Sequence, residues 1–283
     1  MCHEDILLIK TPVALSIAGS DSGGGAGIQA DIKTMSALDV YATTVITALT
    51  SQNTVGIRNI YSVPAISVAT QLESVLEDIA VHAIKIGMVL TFEIIKAIVE
   101  VLRFYCGPII LDPVMMAKSG DALLQEEAMS IFRTDLLPLA TLITPNLPEA
   151  AVLLGQEEAR TLAEAESQGR ELLKLGAKGV LMKGGHFNSN NCVDLLILPE
   201  QQTINLTAIR IDTKNTHGTG CTLSAAIAAF MANGLGLVEA VTEAKDYLHQ
   251  AILESNKLRI GFGHGPVHHF FNKWGEKLCT LQS

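Results

Sequence analysis

Apolar and polar positions alternate along this chain in two rhythms. Short, nearly continuous aliphatic runs at 13–18, 43–49, 83–88, 109–114, 142–149 and 179–185 are too short for helices and read as strands buried on both faces; the last two include the strand's exit. Between them, residues 28–38, 68–79, 92–104 and 164–175 carry helical spacing, and Pro148 suits the first turn of a helix running through Leu154. Residues 193–198 and 206–211 read as two further strands, close enough in sequence for an antiparallel pair. Helices follow at the apolar run 225–231 and at 238–255. Strand and helix patterns alternate throughout, with no internal repeat, low-complexity tract or Pro/Ser-rich linker. The pattern predicts one α/β domain over residues 1–283, its mostly parallel sheet covered on both faces.

Composition narrows the function classes. A 48% hydrophobic content and a mean hydropathy of +0.34 fit a large buried core, yet charges, Gly or polar residues interrupt every apolar run before it could span a bilayer. Residues 1–10 include His3, Glu4 and Asp5, unlike a positively charged signal peptide. A net charge of -9 and a pI of about 5.4, with no basic stripe, argue against nucleic acid and for small-molecule partners. The cysteines, Cys2, Cys106, Cys192, Cys221 and Cys279, are odd in number and scattered, which points to a reducing compartment, the cytoplasm by default.

Candidate chemistry gathers where strands end. Asn215-Thr-His-Gly-Thr-Gly-Cys-Thr-Leu-Ser224 is a glycine turn opening into an Ala-rich helix. Gly218 and Gly220 permit a tight turn whose N–H groups, with the positive helix end, suit an anion; the plainer reading is a helix cap. Cys221 at that helix start is expected to have a lowered thiol pKa and to be available as a base or nucleophile. An earlier glycine loop, residues 19–27, precedes Asp31, one turn into its helix. Its Gly25-Ala-Gly-Ile-Gln-Ala30 fits the dinucleotide pattern, but the acidic residue expected about 20 positions on is missing, which argues against NAD. Gln52, Asp112, Asn146, Glu149 and Lys183 lie at later strand ends. Asp112 is a catalytic or metal carboxylate or else a turn cap, Asn146 an N-cap at the least, and Lys183 a phosphate contact or a solvated lysine. The stretch 261–269 holds His264, His268 and His269, a composition more often structural than metal-binding. Two carboxylates, a lysine and an anion turn are the parts of a Mg²⁺- and nucleotide-dependent phosphoryl-transfer site. The sequence has neither a Walker P-loop nor protein-kinase motifs.

Six segments together carry a resemblance: Ala18-Gly-Ser-Asp-Ser-Gly-Gly-Gly-Ala-Gly-Ile-Gln-Ala-Asp31, Lys85-Ile-Gly-Met88, Leu111-Asp-Pro-Val-Met115, Thr144-Pro-Asn-Leu-Pro-Glu149, Met182-Lys-Gly-Gly-His186 and Thr216-His-Gly-Thr-Gly-Cys-Thr-Leu-Ser224. Over residues 12–271 the chain resembles the hydroxymethylpyrimidine/phosphomethylpyrimidine kinases of thiamine biosynthesis, members of the ribokinase-like superfamily. The resemblance implies a three-layer αβα sandwich and ATP-dependent phosphorylation of 4-amino-5-hydroxymethyl-2-methylpyrimidine and then of its monophosphate. Gly19, Asp31, Gln52 and Met88 would line the pyrimidine pocket, with the Gln52 amide on ring nitrogen and exocyclic amine. Asn146 and Glu149 match the superfamily's N-x-x-E motif that organises Mg²⁺, with Asp112 assisting. Lys183, Thr219, Asn146 and, more remotely, Lys245 would face ATP, and Gly218 and Gly220 would form the anion hole. Cys221 stands where most ribokinase relatives carry the Asp base. Relatives suggest a homodimer, and no thiamine-phosphate synthase domain is expected. The neighbouring alternative is a pyridoxal kinase; Met88 argues against it, since those enzymes usually carry Tyr after the same glycine. A non-catalytic nucleotide-binding protein fits less well, because every catalytic-type position is filled.

Overall fold

The computed structural model describes residues 11–115, 124–185 and 190–274. Cys2, Cys279 and His186, the last residue of one quoted motif, lie outside them. In chain order the elements are β1 (Val13–Asp21), α1 (Gly27–Ala37), β2 (Tyr41–Gln52), β3 (Ile57–Ser62), α2 (Ala65–Asp78), β4 (Ala83–Ile86), α3 (Phe92–Leu102) and β5 (Ile109–Leu111). An irregular helical stretch over 126–139, with α4 (Met129–Ile131) as its α-helical turn, leads to β6 (Leu142–Ile143) and α5 (Leu147–Leu154). Then come α6 (Leu162–Lys174), β7 (Val180–Met182), β8 (Asn191–Ile197), β9 (Ile204–Ile209), α7 (Thr219–Ala232) and α8 (Leu237–Leu253).

One nine-stranded sheet runs β3-β2-β1-β4-β5-β6-β7-β8-β9. The centre, β2 through β7, is parallel, whereas β3, β8 and β9 pair antiparallel at the edges. The strand alternation sorts side chains between two cores. Leu15, Ile17, Ile84, Ile86, Ile109, Leu111, Val180 and Met182 pack with α2, α3, α5 and α6 on one face. Ala14, Ala83, Ile110 and Leu181 pack on the other with α1, α7 and α8. Both faces are therefore dry, as the continuous apolar runs require, and the three-layer αβα sandwich is the expected one.

Two elements were not legible in the sequence. Residues 50–52 continue β2 instead of leaving the sheet, because β3 pairs with them as an edge hairpin, Leu49 opposite Tyr61 and Thr50 opposite Ile60. β3 mixes polar and apolar residues and is half solvated, so it lacks the buried-strand signature. The 126–139 stretch mixes 3₁₀, α and π turns, so no single helical period marks it. The expected β8–β9 antiparallel pair is present.

Candidate active site

The carboxyl ends of the parallel strands open into a cavity of about 1410 Å³. This is where an open α/β sheet leaves loops free to hold a ligand. Gly218 caps α7 in the left-handed region, φ 79°, and a Cβ there would lie 1.8 Å from the carbonyl oxygen of Gly25. The two glycine loops thus touch backbone to backbone, which only glycine allows. Gly220 is two residues further on, within the first helical turn. Its missing Cβ would point at Asp112 Oδ2, 3.3 Å away, and Lys183 Nζ, 3.5 Å away. The Gly218–Gly220 turn, the carboxylate after β5 and the lysine after β7 therefore share one wall.

That wall is charged. Lys183 Nζ donates to Asp112 Oδ1 at 2.9 Å and lies 3.7 Å from Glu149 Oε2; Thr144 Oγ1 also donates to Asp112. Asn146 and Glu149 form a reciprocal capping box at the start of α5, each accepting from the other's backbone N–H at 2.8 Å. Asn146 is thus an N-cap as well as a cavity residue. Burial, reinforced by Asp112, pushes the Glu149 carboxyl up to about 7, against the opposing pull of Lys183 and the Asn146 N–H. Burial works to discharge Lys183, but Asp112 and Glu149 outweigh it and raise its pKa.

Cys221 lines the cavity, but its thiol does not behave as the helix start suggested. Burial, with Asp31 and Asp112 adding to it, pushes the thiol up to about 11, although Lys85 and the Gly27 N–H pull the other way. The expected lowering is overturned because desolvation of a thiolate outweighs the helix end here.

Asp31 is fully buried behind the cavity wall and is absent from its lining. It accepts from Ser16 Oγ at 2.5 Å and from Lys85 Nζ at 2.7 Å. Burial pulls Asp31 toward the neutral acid while Lys85 pulls it down; the short contact and the second donor assign an ion pair. Lys85, itself fully buried, reaches the lining and keeps its charge through the acids around it. Gly19 and Met88 meet: a Cβ on Gly19 would lie 2.2 Å from the Met88 methyl, so the glycine makes room for that side chain. Gln52 also lines the cavity. Thr219 and Lys245 also border it, and Lys245 pairs with Asp194, whose other oxygen accepts from the Gly184 N–H at 2.8 Å.

Sequence reasoning missed Asp21, His217 and Asp194. Asp21 accepts from the N–H groups of Gly23, Gly25 and Ala26 and contacts His217 Nε2 at 2.9 Å. Burial works to raise its pKa, but His217 and the backbone donors outweigh it and the net shift is downward. Asp21 and His217 sit inside the glycine motifs, a signal that was available; Asp194 lies in a strand and gave none. His269, by contrast, is buried against Thr222 Oγ1 at 3.1 Å, and burial pushes its pKa down to about 3. Among the described residues no group of three His, Cys, Asp or Glu side chains is placed to hold a metal ion. Nor is any described helix long and apolar enough to cross a membrane.

A glycine turn at a helix start beside a lysine and two carboxylates, at the end of this sheet, belongs with the ribokinase-like small-molecule kinases. The comparisons narrow the class. The phosphomethylpyrimidine kinase family matches residues 21–268. The hydroxymethylpyrimidine/phosphomethylpyrimidine kinase of Rhizobium meliloti is 52% identical over 264 residues, 93% of this chain and 99% of that one. Among solved structures, phosphomethylpyrimidine kinase from Clostridium difficile 630 superposes with a TM-score of 0.74 at 44% identity, covering 85% of this chain and 99% of its own. An ADP complex of Bacillus subtilis pyridoxal kinase gives 0.85 at 36%, covering 92% and 97%. This chain belongs to the phosphomethylpyrimidine kinase family.

Proposed function

We propose that this chain is an ATP- and Mg²⁺-dependent kinase that phosphorylates 4-amino-5-hydroxymethyl-2-methylpyrimidine and then its monophosphate. The observation that carries the reading is one cavity shared by the Gly218–Gly220 turn, with Asp112 and Lys183 against it, and by Gly19, Gln52 and Met88. In this reading the turn's N–H groups and Lys183 hold the transferring phosphate, and Asn146, Thr219 and Lys245 belong to the nucleotide side. Asp112 and Glu149 are hard oxygen donors beside one another, the set that Mg²⁺ takes together with phosphate and water. Bound there, the ion would offset phosphate charge. Gln52 reads the ring, an amide offering one donor and one acceptor. Asp31 serves from behind, keeping Lys85 charged at the lining.

With its thiol pushed up to about 11, Cys221 is a poor acceptor for the hydroxyl proton at neutral pH. A largely dissociative transfer tolerates that. The second acceptor, a phosphate, is already anionic near neutral pH and needs no base. A pyridoxal kinase is the second reading, suggested by the Bacillus subtilis structure; Met88 after Lys85-Ile-Gly87 and the 52% identical relative favour the pyrimidine. A coupled assay offering pyrimidine and pyridoxal side by side tests the choice: the expected result is a higher kcat/KM on the pyrimidine, and preference for pyridoxal reverses the reading.

The same reading makes the protein a cytoplasmic homodimer. Cys106, Cys192 and Cys221 are free thiols, in keeping with a reducing compartment. Leu49 and Tyr61, cross-strand neighbours on the edge hairpin, are both about half exposed and offer an apolar face for a second copy.

A further inference from the structure

We infer that Asp21, His217 and Thr50 form a hydrogen-bond relay that fixes which way the Gln52 amide faces the substrate ring. The inference rests on the pyrimidine reading above and assigns a positioning role to residues outside it. Asp21 is locked as an acceptor, since Gly23 N donates to Oδ1 at 2.8 Å while Gly25 N and Ala26 N donate to Oδ2 at 3.0 and 2.8 Å. His217 Nε2, 2.9 Å from that same Oδ2, must therefore carry the hydrogen. The ring is held in place: a Cβ on Gly25 would fall 2.4 Å from its Cδ2, and the His217 backbone N–H donates to Gly265.

At the other end, Thr50 Oγ1 donates its single hydrogen to the Ser20 carbonyl at 2.9 Å. Gln52 lies between the two, its Nε2 3.3 Å from His217 Nε2 and its Oε1 3.1 Å from Thr50 Oγ1. In that sense two donors face each other at His217, and Thr50 has no second hydrogen for the amide oxygen. A half-turn of the amide satisfies both neighbours, because amide orientation is set by its network. The oxygen then shares the one His217 Nε2–H with Asp21 in a three-centre hydrogen bond, the shorter limb to Asp21, and the nitrogen donates to Thr50 Oγ1. One N–H and one lone pair are left for the cavity, in a fixed order. A 4-aminopyrimidine presents a ring-nitrogen acceptor beside an amine donor and matches that order. Its 4-oxo analogue presents an N–H beside a carbonyl, the reverse, and is refused while the amide cannot turn.

The test is the ratio of kcat/KM for the 4-amino substrate to that for the 4-oxo analogue. In His217→Phe the amide loses its oxygen anchor, and the ratio should fall about tenfold or more, the scale of one buried polar group mispaired. Thr50→Val frees the nitrogen end and should act alike, carrying the test from a second element should His217→Phe fail to fold. His217→Gln keeps an N–H donor of similar reach and should return most of the discrimination. An unchanged ratio in both His217→Phe and Thr50→Val, whatever the loss in kcat, overturns the relay, as does a His217→Gln variant no more selective than His217→Phe. If the parent protein phosphorylates neither pyrimidine, the functional reading itself fails and the relay falls with it; an active parent with unmoved ratios refutes the relay alone.

Discussion

A thiol in the first turn of a helix, buried beside a lysine and two aspartates, feels opposed fields, and at Cys221 burial wins. With the pKa near 11, only about one thiol in 10⁴ is ionised at pH 7, so it is poorly matched to general-base work, which favours a pKa near the working pH. Cys221→Ala should therefore lower kcat by less than about tenfold, and equally on the alcohol and on the monophosphate. A loss of about 10² or more confined to the alcohol, read from separate initial rates, would restore the base role. Burial raises Glu149 as well, here into the physiological range. Its folded pKa, about 7, lies above the ordinary 4.5, so between those values the native state holds more protons than the unfolded chain. Stability associated with this group is complete below about pH 4.5 and is lost as pH rises to about 7. At roughly 1.4 kcal/mol per unit the cost above pH 7 is of the order of 3 kcal/mol. Glu149→Gln should thus match the parent's Tm near pH 5 and exceed it at pH 8, while its turnover and Mg²⁺ dependence weaken. A Tm difference that does not vary with pH, or an unaltered Mg²⁺ titration, would contradict the assignment.

At the scale of elements, the β1–α1 loop and the turn into α7 are built as a pair. Gly218 has both a left-handed φ and the Gly25 carbonyl against it, so Gly218→Ala meets strain and overlap together. We expect a loss of at least about 2 kcal/mol in urea unfolding, together with activity. Gly220 is different: its Cβ would meet only the ends of Asp112 and Lys183 at 3.3 and 3.5 Å, side chains that can give. Gly220→Ala should keep the parental unfolding midpoint within about 0.5–1 kcal/mol yet lose about 10²-fold in kcat, the scale of one obstructed anion donor. Equal losses of stability in the two variants would show that the turn is only a structural cap. The irregular 126–139 stretch lends Glu126, Glu127 and Met129 to the cavity rim, and no periodic pattern announced it.

For the molecule as a whole, the sheet's antiparallel edge leaves Leu49 and Tyr61 half exposed side by side. Tyr61→Asp should convert the expected dimer to a monomer in sedimentation, and a parent that is monomeric at micromolar concentration would remove the interface. What the sequence determined by itself was the layered α/β plan and the residues at the strand ends. Continuous apolar runs such as 109–111 can be satisfied only by burial on both faces, and glycine turns such as Gly218-Thr-Gly220 restrict what can follow. Motif order likewise carried the family, since it survives in the linear chain. Tertiary structure decided the rest. Asp31 looked like a pocket residue and became the buried partner of Lys85, because α1 packs it against Ser16 and β4. Asp194 gained meaning only once β8 met Lys245 on α8, and Asp21 and His217 only when their loops touched. Charge states were decided last: burial and neighbours 100 or more positions away set the Cys221 thiol, and His217, 196 positions away, joins the local Gly23 and Ala26 donors in lowering the Asp21 carboxyl.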